Sequence, residues 1–448
     1  MPDLTQLRRS AREIFDVALR SVDARAATRR AIHVDRSSLR CFEAEFDLST
    51  NQVYVVSIGK AALSMAFGLT DVLGSKIAGG VISGPAQLTK QQFPLSGWQV
   101  FAGGHPLPNE ASLASAEAIF ELIDRANAER AMIFFLISGG GSAMVEWPAG
   151  EQITLADLRE ANRLLVECGA TISEINAVRR AFSAVKGGAL SKRVLQASMV
   201  TLIVSDTNVG DEASVASGPT LLPSPNGPDP REVLSRYHLD VALPKSIIQA
   251  IRQKNPSERQ LHKTNPHFVI LDNQTAIAAA VEKAQALGFA SEATRDICEQ
   301  PIDEGCELLV SRLFNLVKKS QVNNRGFCHI SGGEFSCPVL GDGRGGRNLE
   351  TALRCAIELD NKKSVYHSVV LSAGTDGIDG NSPAAGAIAD ETTLSRACLK
   401  GLDAQEFLER SDSYGFFDRL DDTIEIGPTG TNVRDLRIVL GCSKASGR

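Results

Sequence analysis

The sequence lacks long apolar runs, regular cysteine spacing and a strong excess of one charge. The longest apolar stretches, such as Ala131 to Ile137, are too short to cross a bilayer, so no membrane association is expected. A net charge of −6 over 448 residues is mild, which argues against a nucleic-acid-binding surface. The nine cysteines include no CxxC pair, so neither a disulfide framework nor a zinc site is expected. Reduced cysteines in a cytoplasmic protein are the simpler interpretation.

The chain also lacks the pattern of a secretory signal at its start. Its first forty residues are rich in arginine, but they carry acidic residues that transit peptides avoid. Ile14, Phe15, Ala18 and Leu19 recur at helical spacing. We therefore predict an ordinary amphipathic helix here.

The length of the chain predicts two domains, because single cores rarely grow to this size. A proline cluster at residues 223–230 begins a polar stretch that lasts to about Pro266 and is typical of a connector. We place the boundary near residue 262, which gives domains at residues 1–262 and 263–448.

Five apolar segments each end in a turn of serine, glycine and a polar residue. They are Val53 to Ile58, Met132 to Ile137, Met199 to Val204, Phe327 to Ile330 and Ser368 to Leu371. Continuous apolar strands that alternate with helices predict an α/β fold, with a mainly parallel sheet flanked by helices in each domain. Ligands of such sheets bind beyond the carboxyl ends of the strands, where all five turns are expected.

The segment from Gly341 to Arg347 is the richest motif. Gly343, Gly345 and Gly346 would let the backbone approach a ligand, and Arg347 suits a phosphoryl group. A flexible glycine-rich surface loop is the alternative interpretation. The same segment matches a dinucleotide GxGxxG pattern only weakly, because a short, proline-containing stretch precedes it instead of a clean strand.

A second glycine-rich turn, Gly139-Gly140-Gly141-Ser142, follows an apolar strand and opens a helix. Successive backbone N–H groups in such a turn can bind an anion. A tight turn that needs positive φ is the structural alternative. No GxSxG motif is present, so a nucleophilic serine is not supported.

Charged residues follow three of the strands. The chain has no Walker A sequence, but Lys60 stands at a strand end, where its ammonium could reach a phosphate or carboxylate. Asp206 and Asp211 flank one turn, and Asp376 and Asp379 flank another. Such carboxylates suit Mg²⁺ binding or proton acceptance, whereas turn and helix-cap roles are the common alternative.

Together these motifs resemble the class II glycerate kinases, whose C-terminal region is called the MOFRL domain. The resemblance covers nearly the whole chain, in order, through the segments 57–62, 103–112, 137–144, 204–220, 331–334, 341–350, 373–387 and 427–436. It implies two α/β domains with an active site in the cleft between them. It also implies ATP with Mg²⁺, and phosphorylation of glycerate at the 2-hydroxyl to give 2-phosphoglycerate. Asn109 and Leu349 depart from the usual pattern.

The resemblance suggests a set of catalytic roles. Lys60 and Arg347 would face the γ-phosphoryl group and the glycerate carboxylate. Asp206 and Asp376 would hold Mg²⁺ or accept the hydroxyl proton, in an order that the sequence leaves open. The turn at residues 139–142 would bind phosphate oxygens, with Gly343, Gly345 and Gly346 as further ATP contacts.

Two other functions stay open at this point. One is an NAD(P)H-dependent hydroxypyruvate or tartronate reductase, which rests on the weak GxGxxG match. The other is a sugar-acid sensor that binds ligand without turnover. A homodimer is also left open, because the sequence does not determine the oligomeric state.

Overall fold

A computed structural model describes residues 2–48, 52–85, 96–253, 265–320, 326–362 and 366–444. The chain divides into two compact units. The first consists of residues 24–271, and the second combines residues 1–23 with residues 272–448. The expected boundary near residue 262 lies outside the described residues and stays a prediction.

The strands of the described residues are numbered in chain order. They are β1 Ile32–Asp35, β2 Ser38–Cys41, β3 Ala44–Asp47, β4 Val53–Ile58, β5 Ile77–Gly84, β6 Trp98–Ala102, β7 Met132–Ser138, β8 Ser198–Val204, β9 His267–Leu271, β10 Ala290–Thr294, β11 Phe327–Gly333, β12 Tyr366–Gly374, β13 Gly386–Asp390, β14 Thr423–Ile424 and β15 Asp435–Ser443. All five apolar segments identified in the sequence form strands, which confirms that prediction.

The helices are numbered in the same way. They are α1 Leu4–Ser21, α2 Ala24–Arg30, α3 Ala62–Leu73, α4 Glu110–Glu129, α5 Gly141–Met144, α6 Leu155–Glu167, α7 Ile172–Ala181, α8 Ala189–Arg193, α9 Pro230–Arg236, α10 Leu239–Ala242, α11 Lys245–Gln253, α12 Asn273–Ala286, α13 Ile302–Ser320, α14 Arg347–Asn361, α15 Thr393–Leu399, α16 Ala404–Glu409 and α17 Ser413–Asp418. None of the described helices is both long enough and apolar enough to span a membrane.

The first unit is built on a parallel sheet with the strand order β6-β5-β4-β7-β8-β9. Every residue of β4 and β7 is buried, which explains why these strands are continuously apolar instead of alternating. Because all six strands run the same way, the turns that follow β4, β7 and β8 meet at one edge of the sheet. A small antiparallel sheet, β1-β2-β3, belongs to the same unit.

Helix α1 belongs to the second unit, although it lies at the other end of the chain. Ile14, Phe15 and Ala18 are buried on one helix face, which confirms the predicted amphipathic helix. The guanidinium group of Arg8 forms ion pairs with Asp390 and Asp422, two buried carboxylates near the ends of β13 and β14. Apolar packing and these ion pairs therefore hold the N-terminal helix against the C-terminal sheet.

The sheet of the second unit has the strand order β10-β11-β15-β12-β13-β14. It is mixed, whereas the sequence predicted a mainly parallel sheet: β10 and β11 are parallel, and the other pairs are antiparallel. The loop before β15 crosses the end of β12, where Thr429 N donates to Asp376 O and Thr375 N donates to Arg434 O. Strand β15 starts at the edge where β11 and β12 end, so it must run in the opposite direction.

Candidate active site

The turns after β4 and β7 are joined by hydrogen bonds. Lys60 N donates to Gly139 O (2.9 Å), and Ala61 N donates to Ser138 Oγ (3.0 Å). Gly59 has a φ of 111°, and a Cβ there would lie 2.3 Å from Ser138 O, so this contact requires glycine. A Cβ on Gly140 would lie 3.1 Å from Lys60 Cγ. The Lys60 side chain therefore runs beside the triple-glycine turn.

Asp206, which follows β8, reaches the same turn. A Cβ on Gly139 would lie 1.8 Å from Asp206 Oδ2, so only glycine leaves room for this carboxylate. The structure thus places both Lys60 and Asp206 against the 139–142 turn, and their catalytic roles stay a prediction. Asp211 differs, because its Oδ1 accepts a hydrogen bond from Ser214 Oγ (2.8 Å) in a local turn.

Ser142 is the last residue of the triple-glycine turn and is partly exposed. Its Oγ lies 2.8 Å from the Oγ of Ser217, a fully buried residue. Ser217 Oγ in turn donates to Asn176 Oδ1 on α7 (2.9 Å). A chain of three polar side chains therefore connects the turn to the interior of the first unit.

The sequence did not indicate a buried ion pair that the same unit contains. Lys186 Nζ bonds to Glu146, whose other oxygen accepts from Ser183 Oγ (2.6 Å) and Trp147 N (3.0 Å). Burial lowers the pKa of Lys186, and the attraction of Glu146 opposes that effect. The glycine pair after Lys186 was the available signal of a tight turn, but nothing local points to Glu146, forty residues earlier.

Arg180 is a second basic residue that the sequence did not single out. It lies four residues after Asn176 on α7, so both side chains point to the same side of the helix. A Cβ on Gly187 would lie 3.2 Å from Arg180 Cδ, and Gly187 N donates to Ser217 O (3.1 Å). Arg180 is therefore packed near the loop that contacts Ser142.

In the second unit, Arg347 begins α14 and is held by two carboxylates. Its Nε and Nη2 bond to the buried Asp435 (2.5 and 3.3 Å), and Nη2 also bonds to Glu334 (2.7 Å). Burial alone would lower the pKa of Arg347, but Asp435 and Glu334 raise it above the usual value, so the group is charged. The Nε–Nη2 edge of the guanidinium group is therefore occupied by the two carboxylates.

Asp376 lies at the same edge of the mixed sheet. A Cβ on Gly374 would lie 3.2 Å from Asp376 Oδ1 and 3.5 Å from Asp435 Oδ1, so both carboxylates border this glycine. Asp376 Oδ1 also accepts a hydrogen bond from Ile378 N (3.2 Å). The ends of β11 and β12 and the start of β15 thus bring Glu334, Asp376 and Asp435 to one edge, together with Arg347.

The glycine-rich loop before α14 uses its N–H groups within the protein. Gly343 N donates to Arg410 O (2.9 Å), and Gly345 N donates to Asn381 Oδ1 (2.8 Å). A Cβ on Gly346 would lie 2.5 Å from the carboxyl group of Asp379. In this structure these glycines pack the loop against the neighbouring segments, and their role as ATP contacts stays a prediction.

Asp379 caps the start of α14. Its carboxylate accepts from Leu349 N (2.8 Å) and Asn348 N (3.1 Å), which satisfies two otherwise unpaired helix N–H groups. Burial raises the pKa of Asp379 to about 7, although both N–H groups favour the carboxylate.

The two residues that depart from the family pattern have structural roles: Asn109 caps α4, and Leu349 is buried in the core.

The available carboxylates fit Mg²⁺ only as single ligands. Within the described parts of the chain, no group of three or more His, Cys, Asp or Glu side chains is arranged to hold a metal. Mg²⁺ in phosphoryl-transfer sites is commonly bound by one or two carboxylates together with phosphates and water. Asp206, in its glycine-lined position, and Asp376 both suit that arrangement.

Comparison with known proteins identifies the family. Residues 10–252 match a domain of unknown function, DUF4147, and residues 327–435 match the MOFRL family. A D-glycerate 2-kinase from Thermotoga maritima is 35% identical over 88% of this chain and 91% of its own. A putative hydroxypyruvate reductase from Agrobacterium vitis is 31% identical over 97% and 94%.

A solved structure gives the same result. The crystal structure of a glycerate kinase from Thermotoga maritima is similar with a TM-score of 0.79 and 32% identity, covering 97% of this chain and 99% of that one. Both matched regions, the motif order and the fold agree. The chain therefore belongs to the glycerate kinase family that combines DUF4147 and MOFRL regions.

Proposed function

We propose that this protein transfers the γ-phosphoryl group of ATP to the 2-hydroxyl of D-glycerate. The observation that carries the proposal is the meeting of Lys60, Asp206 and the 139–142 turn at one edge of the parallel sheet. Phosphoryl transfer depends mainly on positioning and charge neutralisation, which such a group of residues supplies. The name of the relative from Thermotoga maritima, D-glycerate 2-kinase, supports the same reaction.

In the proposed reaction Lys60 neutralises charge on the transferring phosphoryl group. Backbone N–H groups of Gly139, Gly140 and Gly141 bind phosphate oxygens, since successive N–H groups suit an anion. Asp206 and Asp376 divide two tasks between them, holding Mg²⁺ and accepting the proton of the glycerate hydroxyl. When bound, Mg²⁺ would neutralise charge on the phosphates.

Arg347 has a more restricted role than the sequence suggested. Asp435 and Glu334 already occupy its Nε–Nη2 edge. We propose that Arg347 contacts the substrate carboxylate or the phosphoryl group through Nη1, while Asp435 fixes the orientation of the guanidinium group. The proposed reaction uses residues of both units, and the shared cleft that this requires stays a prediction.

A nicotinamide-dependent reductase is the second candidate, because one relative carries the name hydroxypyruvate reductase. The dinucleotide fingerprint should directly follow a strand. Here β11 ends at Gly333, and the segment 334–340 separates that strand from Gly341, the first glycine of the motif. The local structure therefore favours the kinase.

The test is to identify the product. The protein is incubated with D-glycerate, ATP and Mg²⁺, and ³¹P and ¹³C NMR follow the mixture. We expect 2-phosphoglycerate and ADP in equal amounts. Oxidation of NAD(P)H with hydroxypyruvate, without ADP formation, would identify a reductase, and glycerate binding without either reaction would identify a sensor.

The cytoplasmic location and the homodimer are further predictions, and the dimer is tested by light scattering.

A further inference from the structure

The hydroxyl group of Ser142 donates its proton to a hydrogen bond within the protein. Ser217 Oγ donates its only proton to Asn176 Oδ1 (2.9 Å). In the 2.8 Å contact between the two serines, Ser217 can therefore only accept. Ser142 must be the donor, so the hydroxyl of this partly exposed residue retains lone pairs but has no proton to offer a ligand.

The surroundings of Ser217 favour this direction of the Ser142–Ser217 hydrogen bond. Ala216, Ser217 and Gly218 have consecutive φ values of 51°, 60° and 66°, a left-handed conformation that non-glycine residues adopt at a cost. Gly187 N donates to Ser217 O (3.1 Å), and Gly188 N donates to Gly218 O (2.7 Å), which holds the segment in place. Ser217 and its acceptor Asn176 are both buried, so water does not compete for the proton.

We infer that Ser142 acts towards its ligand only as an electron-pair donor. It binds a cation or accepts the proton of a hydroxyl group, and it does not donate a hydrogen bond to a phosphate oxygen. This refines the sequence-based expectation that the whole 139–142 turn binds phosphate. The inference rests on the proposed function for its two possible partners, which are Mg²⁺ and the hydroxyl group of glycerate.

The neighbouring residues are compatible with both partners. Asp206 lies against Gly139 at the start of the same turn, and hard oxygen ligands such as carboxylates and hydroxyls suit Mg²⁺. The backbone N–H groups of the turn stay available for phosphate in the proposed reaction. In the 139–142 turn the backbone would thus bind anions, and the Ser142 side chain would bind a cation or a hydroxyl group.

The test separates these contacts by measuring binding instead of turnover. Wild type, Ser142→Ala and Ser142→Thr are compared in three titrations: ADP in EDTA by calorimetry, Mn²⁺ on the ADP complex by electron paramagnetic resonance, and D-glycerate by calorimetry. For Ser142→Ala we expect ADP affinity in EDTA within about twofold of wild type. Affinity for either Mn²⁺ or glycerate should fall about tenfold, and Ser142→Thr, which keeps the hydroxyl, should restore most of it.

Each outcome decides the question. A loss for Mn²⁺ alone identifies a cation ligand, and a loss for glycerate alone identifies a hydroxyl acceptor; both support the inference. A tenfold loss of ADP affinity in EDTA would show that Ser142 donates to phosphate and would overturn it, as would three unchanged affinities. Because these titrations need no turnover, a failure of the kinase proposal is recognised separately by NMR.

A second variant tests the hydrogen-bond chain from Ser142 through Ser217 to Asn176. Ser217→Ala removes the acceptor and frees the Ser142 proton, and Ala216 shows that alanine tolerates this backbone conformation. We expect weaker binding of the partner found for Ser142, together with unchanged or tighter ADP binding in EDTA. If Ser217→Ala leaves the Mn²⁺ and glycerate affinities as in wild type, the proposed hydrogen-bond chain does not control Ser142.

Discussion

The two sheet edges use glycine in opposite ways. At the edge of the parallel sheet, Gly139 and Gly140 make room for the side chains of Asp206 and Lys60. At the edge of the mixed sheet, Gly343 and Gly345 donate their N–H groups to Arg410 O and Asn381 Oδ1 on neighbouring segments of the chain. The first turn brings charged side chains together, whereas the second holds a loop that leads to Arg347. Glycine-rich sequence alone does not distinguish these uses.

The charges at the two edges are also held differently. Arg347 is fixed by the carboxylates Asp435 and Glu334. Lys60 and Asp206 are positioned by the turns of three parallel strands, and the same unit contains the buried Glu146–Lys186 pair. The parallel edge therefore depends on the exact packing of its turns, and the mixed edge depends on its ion pairs.

The buried ion pair gives the largest expected effect on stability. Lys186→Met leaves Glu146 buried and unpaired, which should lower the free energy of unfolding by about 3–5 kcal/mol. The double variant Lys186→Met/Glu146→Leu removes both charges and should recover much of the loss. Urea unfolding of the three proteins measures this. If Lys186→Met is as stable as wild type, the Glu146–Lys186 pair does not stabilise the unit that contains the parallel sheet.

The mixed sheet should respond to acid through His329 on β11. This side chain is buried, its Nε2 lies 2.9 Å from Thr294 Oγ1, and burial lowers its pKa from 6.5 to about 4. The folded state therefore keeps His329 neutral. The contribution of His329 to the free energy of unfolding is fully present above pH 6.5 and is lost as the pH falls towards 4. The loss amounts to about 3 kcal/mol.

The matched variant for this prediction is His329→Gln, which keeps a polar group but does not titrate in this range. Unfolding free energies of both proteins are measured at several pH values between 7.5 and 4. The wild type should lose more stability than the variant on acidification. Parallel pH profiles would show that His329 does not supply this acid sensitivity.

A pair of glycine variants tests the comparison between the two edges directly. Gly139→Ala places a Cβ against the Asp206 carboxylate, so kcat should fall at least tenfold while the melting temperature changes little. Gly343→Ala meets the Arg410 carbonyl at 2.5 Å, a backbone group that moves less easily, so stability should fall by about 1–3 kcal/mol. Gly150→Ala is the control, because its Cβ would meet only Ile153 Cδ1 at 3.8 Å. The reverse pattern would contradict the assigned uses of glycine.

The sequence predicted the parts that depend on local pattern. Continuous apolar runs predicted the strands, and the expectation that the turns after β4, β7 and β8 lie at one edge follows from their parallel arrangement. The direction of β15 was not predictable, because it depends on where the preceding loop crosses the sheet. The partners of Arg347 were missed for a similar reason, since Asp435 lies 88 residues away in sequence. Composition likewise could not show that Gly343 and Gly345 donate their N–H groups to neighbouring segments of the chain.

The central proposal is that residues at both edges take part in one phosphoryl transfer. The most direct measurement is single-turnover transfer from γ-labelled ATP to D-glycerate by wild type, Lys60→Ala and Arg347→Ala, with the exposed Lys192→Ala as control. A charged group aimed at developing charge contributes about 3–4 kcal/mol, so both test variants should transfer at least a hundredfold more slowly. Arg347→Ala leaves the buried Asp435 without its ion-pair partner and should lower the melting temperature, so transfer is measured well below the melting temperature of every variant. Wild-type transfer by either test variant would contradict the claim for its edge.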